Sequence, residues 1–173
     1  MNRYTIIRAG KEHILLINEM AQVVFRHTYR DILSCEQIEY MISWMYSPVN
    51  INRQMEEGHV YYVAFHGSCP SGYVSIQRHG TSNESRQLFH LHKLYVMPSE
   101  QGQGLGRILF DKALSHARTE AAGCPATVEL NVNRNNPAIS FYRHLGLNVL
   151  RQGDFSIGNG FYMNDYIMGI DLD

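Results

Sequence analysis

His92-Lys93-Leu94-Tyr95-Val96-Met97-Pro98-Ser99-Glu100-Gln101-Gly102-Gln103-Gly104-Leu105-Gly106-Arg107 sets glycines at three alternate positions where a strand pattern gives way to a helix pattern. Leu88 to Met97 reads as an apolar strand that Pro98 terminates, because proline cannot donate to a ladder. Leu105, Ile108, Leu109, Ala113 and Ala117 then recur at helical spacing, up to Gly123. Glycine accepts positive φ and lets a ligand come close to the amides, while a helix start offers unbonded N–H groups and a partial positive charge. A turn of this kind can cradle a pyrophosphate, or it can be a plain glycine connection. No G-x-x-x-x-G-K-[ST] motif is present, which excludes a P-loop. The spacing G-x-G-x-G, with Glu129 in mid-strand, fits a dinucleotide fingerprint poorly.

Outward from this unit, Tyr4 to Arg8 alternates as a strand, and Ile14, Ile17, Ala21, Val24 and Phe25 mark a first helix. Ser34 is placed to cap a second helix from Cys35, with Ile38, Met41, Ile42 and Met45 on one face, and Ser47-Pro48 ends it. A weaker helical piece spans Ile51 to Glu57. Val60 to Phe65 and Gly72 to Arg78 read as a hairpin, and Gly80 to Arg86 as a second turn. Downstream, Ala126 to Val132 is the next strand, Pro137 to Leu145 a short helix closed by Gly146, and Leu147 to Arg151 and Tyr162 to Ile170 the last strands. The pattern is α/β (α+β): one domain, residues 1–173, with a mixed, mostly antiparallel sheet of six to seven strands and about four helices. Residues 1–58 hold the first strand and helices, 59–123 the hairpin, central strand and glycine loop with its helix, and 124–173 the remaining strands and short helix.

The 173 residues suit one domain, and 15 Lys and Arg against 16 Asp and Glu give a net charge of −1, too little positive field to favour nucleic acid. No apolar run reaches membrane-spanning length, and the start of the chain lacks the apolar core of a secretory signal, so a cytoplasmic location is expected. Cys35, Cys69 and Cys124 form neither a disulfide framework nor C-x-x-C metal spacing.

A second segment, Asn131-Val132-Asn133-Arg134-Asn135-Asn136-Pro137-Ala138-Ile139-Ser140-Phe141-Tyr142-Arg143-His144-Leu145-Gly146-Leu147, joins a polar strand end to a short helix. Together the two segments resemble the GNAT superfamily of acetyl-CoA-dependent N-acetyltransferases. Gln101-x-x-Gly104-x-Gly106 matches its pyrophosphate loop, and Asn135-x-x-Ala138-x-x-Phe141-Tyr142-x-x-x-Gly146-Leu147 its downstream element, with Leu147 in place of the usual Phe. The resemblance implies that the amides of Gln101, Gly102, Gln103, Gly104, Leu105, Gly106 and Arg107 hold the CoA pyrophosphate. It also implies that the backbone of Leu94, Tyr95 and Val96 pairs with the pantetheine arm. By the same resemblance Asn135 hydrogen-bonds CoA and Tyr142 protonates the departing thiolate, acetyl-CoA is the co-substrate, and a homodimer is expected. For Tyr142 the alternative is an aromatic that only packs, and for Asn135 a residue beside a helix cap.

An amine acceptor is mostly protonated near neutral pH, so a base or a water relay is required. His90 and His92 share one face of the central strand, where many superfamily members carry Glu, and either can serve. Metal binding is disfavoured because no third ligand is evident beside them, and His79 lies too far along the meander to place. No cysteine sits in the motifs, which favours direct attack in a ternary complex. Residues 25–38 and 161–168 look similar to the bacterial spermine and spermidine acetyltransferase branch. A small cationic amine would want carboxylates and aromatic faces, and Asp31, Glu56, Glu57, Asp154, Tyr29 and Trp44 are the available ones. A CoA-binding module without turnover is the alternative reading.

Overall fold

The computed structural model describes residues 3–173. The strands are β1 (Thr5–Arg8), β2 (Val60–His66), β3 (Cys69–Thr81), β4 (Gln87–Val96), β5 (Ala126–Asn133), β6 (Asn148–Gly158) and β7 (Phe161–Leu172). The helices are α1 (Ile14–Tyr29), α2 (Cys35–Tyr46), α3 (Pro48–Glu56), α4 (Leu105–Ala121) and α5 (Ala138–His144). The sheet order is β1-β2-β3-β4-β5-β7-β6. β4 and β5 run parallel, from Gln87↔Ala126 to Leu91↔Leu130, whereas β1–β2, β2–β3, β5–β7 and β6–β7 are antiparallel. The mixed α/β class read from the sequence is therefore the observed one.

Two compact units make up the chain, residues 3–77 with Lys93–Ala113, and Arg78–His92 with Leu114–Asp173. In the first unit α1 buries Ile14, Ile17, Met20, Ala21, Val24 and Phe25, the face set by its helical spacing. Ser34 caps α2 as expected, its Oγ accepting from the Gln37 N–H at 3.1 Å. Ser47-Pro48 does more than end that helix. Ser47 Oγ accepts from the Asn50 N–H at 3.3 Å and Pro48 opens α3, where its missing N–H costs nothing. The helical piece expected over Ile51 to Glu57 therefore starts earlier, at Pro48, and is a full helix, which makes five α-helices among the described residues where about four were expected. Gly72 in β3 marks a close approach, since a Cβ there would stand 2.6 Å from the Tyr95 carbonyl oxygen and 3.3 Å from Val96 Cα.

In the second unit Val128, Leu130 and Met168 form a buried stripe across β5 and β7. The last hairpin is longer than its sequence pattern indicates, because β6 alternates weakly and is largely exposed while its ladder to β7 runs from Asn148↔Gly169 to Gly158↔Phe161. Arg86 ties the start of β4 to this unit, donating to the Ala126 carbonyl at 2.8 Å and to Thr127 Oγ1 at 3.0 Å. Among the described residues no helix is long and apolar enough to cross a membrane. Cys35, Cys69 and Cys124 are exposed free thiols.

Candidate active site

In the first unit the glycine loop has the backbone its sequence calls for. Gly102 and Gly104 lie in the left-handed region at φ 74° and 83°, and a Cβ at either would meet nothing within 4 Å. Gln101 to Gly104 are exposed, and α4 begins at Leu105 with Leu105, Leu109, Phe110 and Ala113 buried beneath it. The Ile108 N–H donates to the Gly104 carbonyl at 3.3 Å, so Leu105, Gly106 and Arg107 hold the first-turn amides that a helix cannot satisfy internally. This set of outward amides, at the positive end of a seventeen-residue helix, fits a pyrophosphate. Gln101 uses its side chain to brace the loop, donating to the Val96 carbonyl at 3.3 Å. Arg107 is occupied at 3.8 Å by Asp111 on its own helix.

Leu94, Tyr95 and Val96 are half-buried at the end of β4, past Leu91, the last residue that pairs with β5. Their backbone can therefore pair with an extended ligand, as a strand edge does. The inward side chain here is Lys93, buried and donating to Gln54 Oε1 at 2.8 Å, with Nζ 5.4 Å from the Tyr46 ring centroid and 5.3 Å from that of Tyr61. Burial pushes its ammonium down from 10.5 to about 7. Between those two values the unfolded chain holds a proton that the folded chain has released. Stability therefore rises with pH across that window, by up to about 1.4 kcal/mol per pH unit, and is lowest below it. Lys93→Met removes this dependence. Urea unfolding at pH 7 and pH 9 should find the variant's advantage over the parent shrinking as pH rises; equal differences would show that Lys93 does not titrate there.

In the second unit the polar end of β5 is built by asparagines. Asn133 Oδ1 accepts from the Asn135 N–H and Asn136 Oδ1 from the Ala138 N–H, both at 2.9 Å, so the buried Asn133 and Asn136 shape the turn into α5. Asn135 is exposed and stands beside Asn136, whose Oδ1 makes the side-chain bond at the start of α5. Tyr142 is buried on α5, edge-on to Phe141 at 5.3 Å between ring centroids, and its carbonyl accepts from the Leu147 N–H at 3.1 Å.

His90 and His92 lie together, their ring centroids 4.5 Å apart. His90 is drawn down to about 4, by burial first and then by the nearby His79, so it is uncharged at neutral pH. Glu129, its register partner on β5, opposes that shift, but accepts two hydrogen bonds from Arg151, at 3.1 and 2.7 Å. Among the described residues no group of three His, Cys, Asp or Glu is placed to hold a metal ion.

The Acetyltransferase (GNAT) family model matches residues 25–147. The chain belongs to the GNAT family of acetyltransferases. Among its relatives is an uncharacterized N-acetyltransferase of Methanocaldococcus jannaschii, 35% identical over 79 residues that cover 44% of this chain and 34% of that protein. Another is the N-alpha-acetyltransferase RimI of Mycobacterium tuberculosis, 30% identical over 125 residues, covering 69% of this chain and 73% of that one. The chain thus spans about a third of the first relative and most of the second. In fold it is similar to the PaiA N-acetyltransferase of Thermoplasma acidophilum in complex with coenzyme A, with TM-score 0.75, 24% identity, and coverage of 96% of this chain and 97% of that one. It is also similar to YncA of Salmonella typhimurium with its cofactor acetyl-CoA, with TM-score 0.66, 22% identity, and coverage of 98% and 94%.

Of the residues read as available to a cationic acceptor, Glu56 is bonded to Lys11 at 3.0 Å and Asp154 to Arg134 at 2.6 Å. Tyr29 is buried against Phe25, and Trp44 is partly exposed, stacked on Tyr40 at 6.4 Å. Asp31 and Glu57 are exposed, Asp31 with Arg30 at 3.4 Å. The sequence reading left His79 unplaced, took Glu129 only as an acid in mid-strand, and drew nothing from Lys93. Two of these carried a signal: Glu129 as a charge in the middle of an apolar strand, and Lys93 as the residue that continues the inward alternation of Phe89 and Leu91.

Proposed function

We propose that this acetyltransferase carries the acetyl group of acetyl-CoA to a primary amine of a small molecule, polyamines included, by direct attack in a ternary complex. The observation that carries the cofactor half is the open glycine loop at the start of α4, with its left-handed Gly102 and Gly104. Gln101 through Arg107 hold the pyrophosphate through backbone amides, the backbone of Leu94 to Val96 pairs with the pantetheine arm, and Asn135 hydrogen-bonds CoA.

An alkyl amine titrates near 10.4, so it arrives as the ammonium and loses one proton before its lone pair attacks the thioester carbon; His90 or His92 passes that proton on to water, and His90, held neutral by burial, carries it only in passing. The C–N bond forms and the C–S bond breaks. Tyr142 gives a proton to the leaving sulfur while the nitrogen sheds its second proton, so one proton is released per turnover. A phenol near 10 and a thiol near 8.5 make complete transfer uphill by roughly 2 kcal/mol, so a hydrogen bond to the developing thiolate is the main contribution. The exposed cysteines lie outside both motifs, which supports attack without a covalent enzyme intermediate.

The similarity to RimI favours one second reading, an α-amine at a protein N-terminus as acceptor. Calorimetric titration with acetyl-CoA followed by a thiol-release assay separates the two. The panel contains spermidine, other small amines and short peptides with free N-termini. Release with an amine but no peptide supports the proposal, release with peptides alone replaces the acceptor, and absence of acetyl-CoA binding overturns the reading of the loop.

A further inference from the structure

We propose that His79, on β3, completes a three-imidazole chain with His90 and His92 through which the proton lost by the acceptor ammonium reaches solvent. The inference rests on the acetyl-transfer reading above and adds to it a residue from a different strand. The His79 ring lies 5.3 Å from that of His90 and 5.4 Å from that of His92, centroid to centroid, and the His90 and His92 rings are 4.5 Å apart. The His79 and His90 rings are stacked, at 21°, and at these separations one water can bridge the nitrogens of neighbouring rings. The burial gradient gives the chain a direction. His90 and His92 are half-buried on β4, whereas His79 is exposed near the end of β3, beside Gly80 at positive φ.

Imidazole has the chemistry for this task, because it binds a proton at one nitrogen while releasing another, and its ordinary titration lies near neutral pH. The groups facing His90 come from four strands: His79 on β3, His92 on β4, Glu129 on β5 and Arg151 on β6. Arg151 holds Glu129 in a two-bond pair, so the carboxylate does not trap the proton on His90. Two cations cannot sit side by side in this cluster at low cost, so a proton entering at β4 is pushed outward to the exposed ring. His79 touches no reacting atom in this scheme and is a positioning residue for the charge.

Two measurements on the full chain test it. Histidine NMR titration of the parent and of His79→Gln reads the coupling without any acceptor. The parent should show interdependent titrations of His90 and His92, and His79→Gln should move the His90 midpoint upward by a resolvable fraction of a pH unit. In thiol release with the best acceptor of the panel, His79→Gln should lower kcat/KM several-fold and shift its acid limb. Added imidazole should restore part of the rate. Independent titrations, or a pH profile superimposable on the parent's, would overturn the proposal and leave His79 as a surface residue. If the parent releases no thiol with any acceptor, the acetyl-transfer reading is what fails, and the coupling is still decided by the titration.

Discussion

Tyr142→Phe should lower kcat for acetyl transfer by about 10²-fold while leaving acetyl-CoA affinity within about twofold of the parent. The substitution removes one oxygen from a ring that is buried on α5 and packed on Phe141, so volume and packing are kept. What disappears is the hydroxyl proposed to donate to the leaving sulfur. A factor of about 10² corresponds to about 2.7 kcal/mol, the range expected for a hydrogen bond to developing charge. Single-turnover thiol release, with calorimetric acetyl-CoA binding in parallel, reads the two quantities separately. An unchanged kcat would mean that the thiolate leaves without help from α5, and Tyr142 would be an aromatic that only packs.

Gly104→Val should weaken acetyl-CoA binding by about 10- to 100-fold with a cooperative unfolding transition retained. The loop residue sits at φ 83°, where a β-branched side chain is strained by about 1–3 kcal/mol. A Cβ there meets no neighbour within 4 Å, so the valine disrupts no packing and the strain is relieved by rotation of the loop backbone. That rotation swings the amides of Gly104 and Leu105 off the site of the phosphates. Calorimetry with acetyl-CoA and a urea unfolding curve decide the matter; unaltered affinity would show that these amides do not hold the pyrophosphate.

The loop and the helix behind it were legible because their determinants are local. Three alternate glycines, a preceding proline and the spacing of Leu105, Leu109 and Ala113 all lie within one short segment, and backbone conformation follows from them directly. The Ser34 cap was readable for the same reason. Pro48 was half-read: its role as a stop was visible, but its fitness as a helix start depended on Ser47 turning to cap the next segment. The histidine cluster was not legible as a whole, since His79 comes from β3 and only the pairing of strands carries it to His90 and His92. The setting of Lys93 was hidden in the same way. The alternation of Phe89, Leu91 and Lys93 puts it on the inward face of β4, but its surroundings, Tyr46, Gln54 and Tyr61, come from α2, α3 and β2, so what receives an ammonium there was not readable from the strand itself. The acceptor residues could not be chosen from sequence because long side chains select their own ion pairs, as Glu56 with Lys11 and Asp154 with Arg134 do.

The ladders of the second unit also fix an order of assembly. β6 and β7 close through Asn159-Gly160, both at positive φ, so that hairpin needs only a tight turn and can form within microseconds. The parallel pairing of β4 with β5 must instead wait until all of α4 and its flanking loops have been gathered in, a closure that costs entropy before any contact repays it. Pulse-labelled hydrogen exchange during refolding should therefore protect the amides of β7 that face β6 before those joining β4 to β5. His90 meets Glu129 only across that late ladder, so the electrostatic setting of the histidines is among the last features the chain acquires.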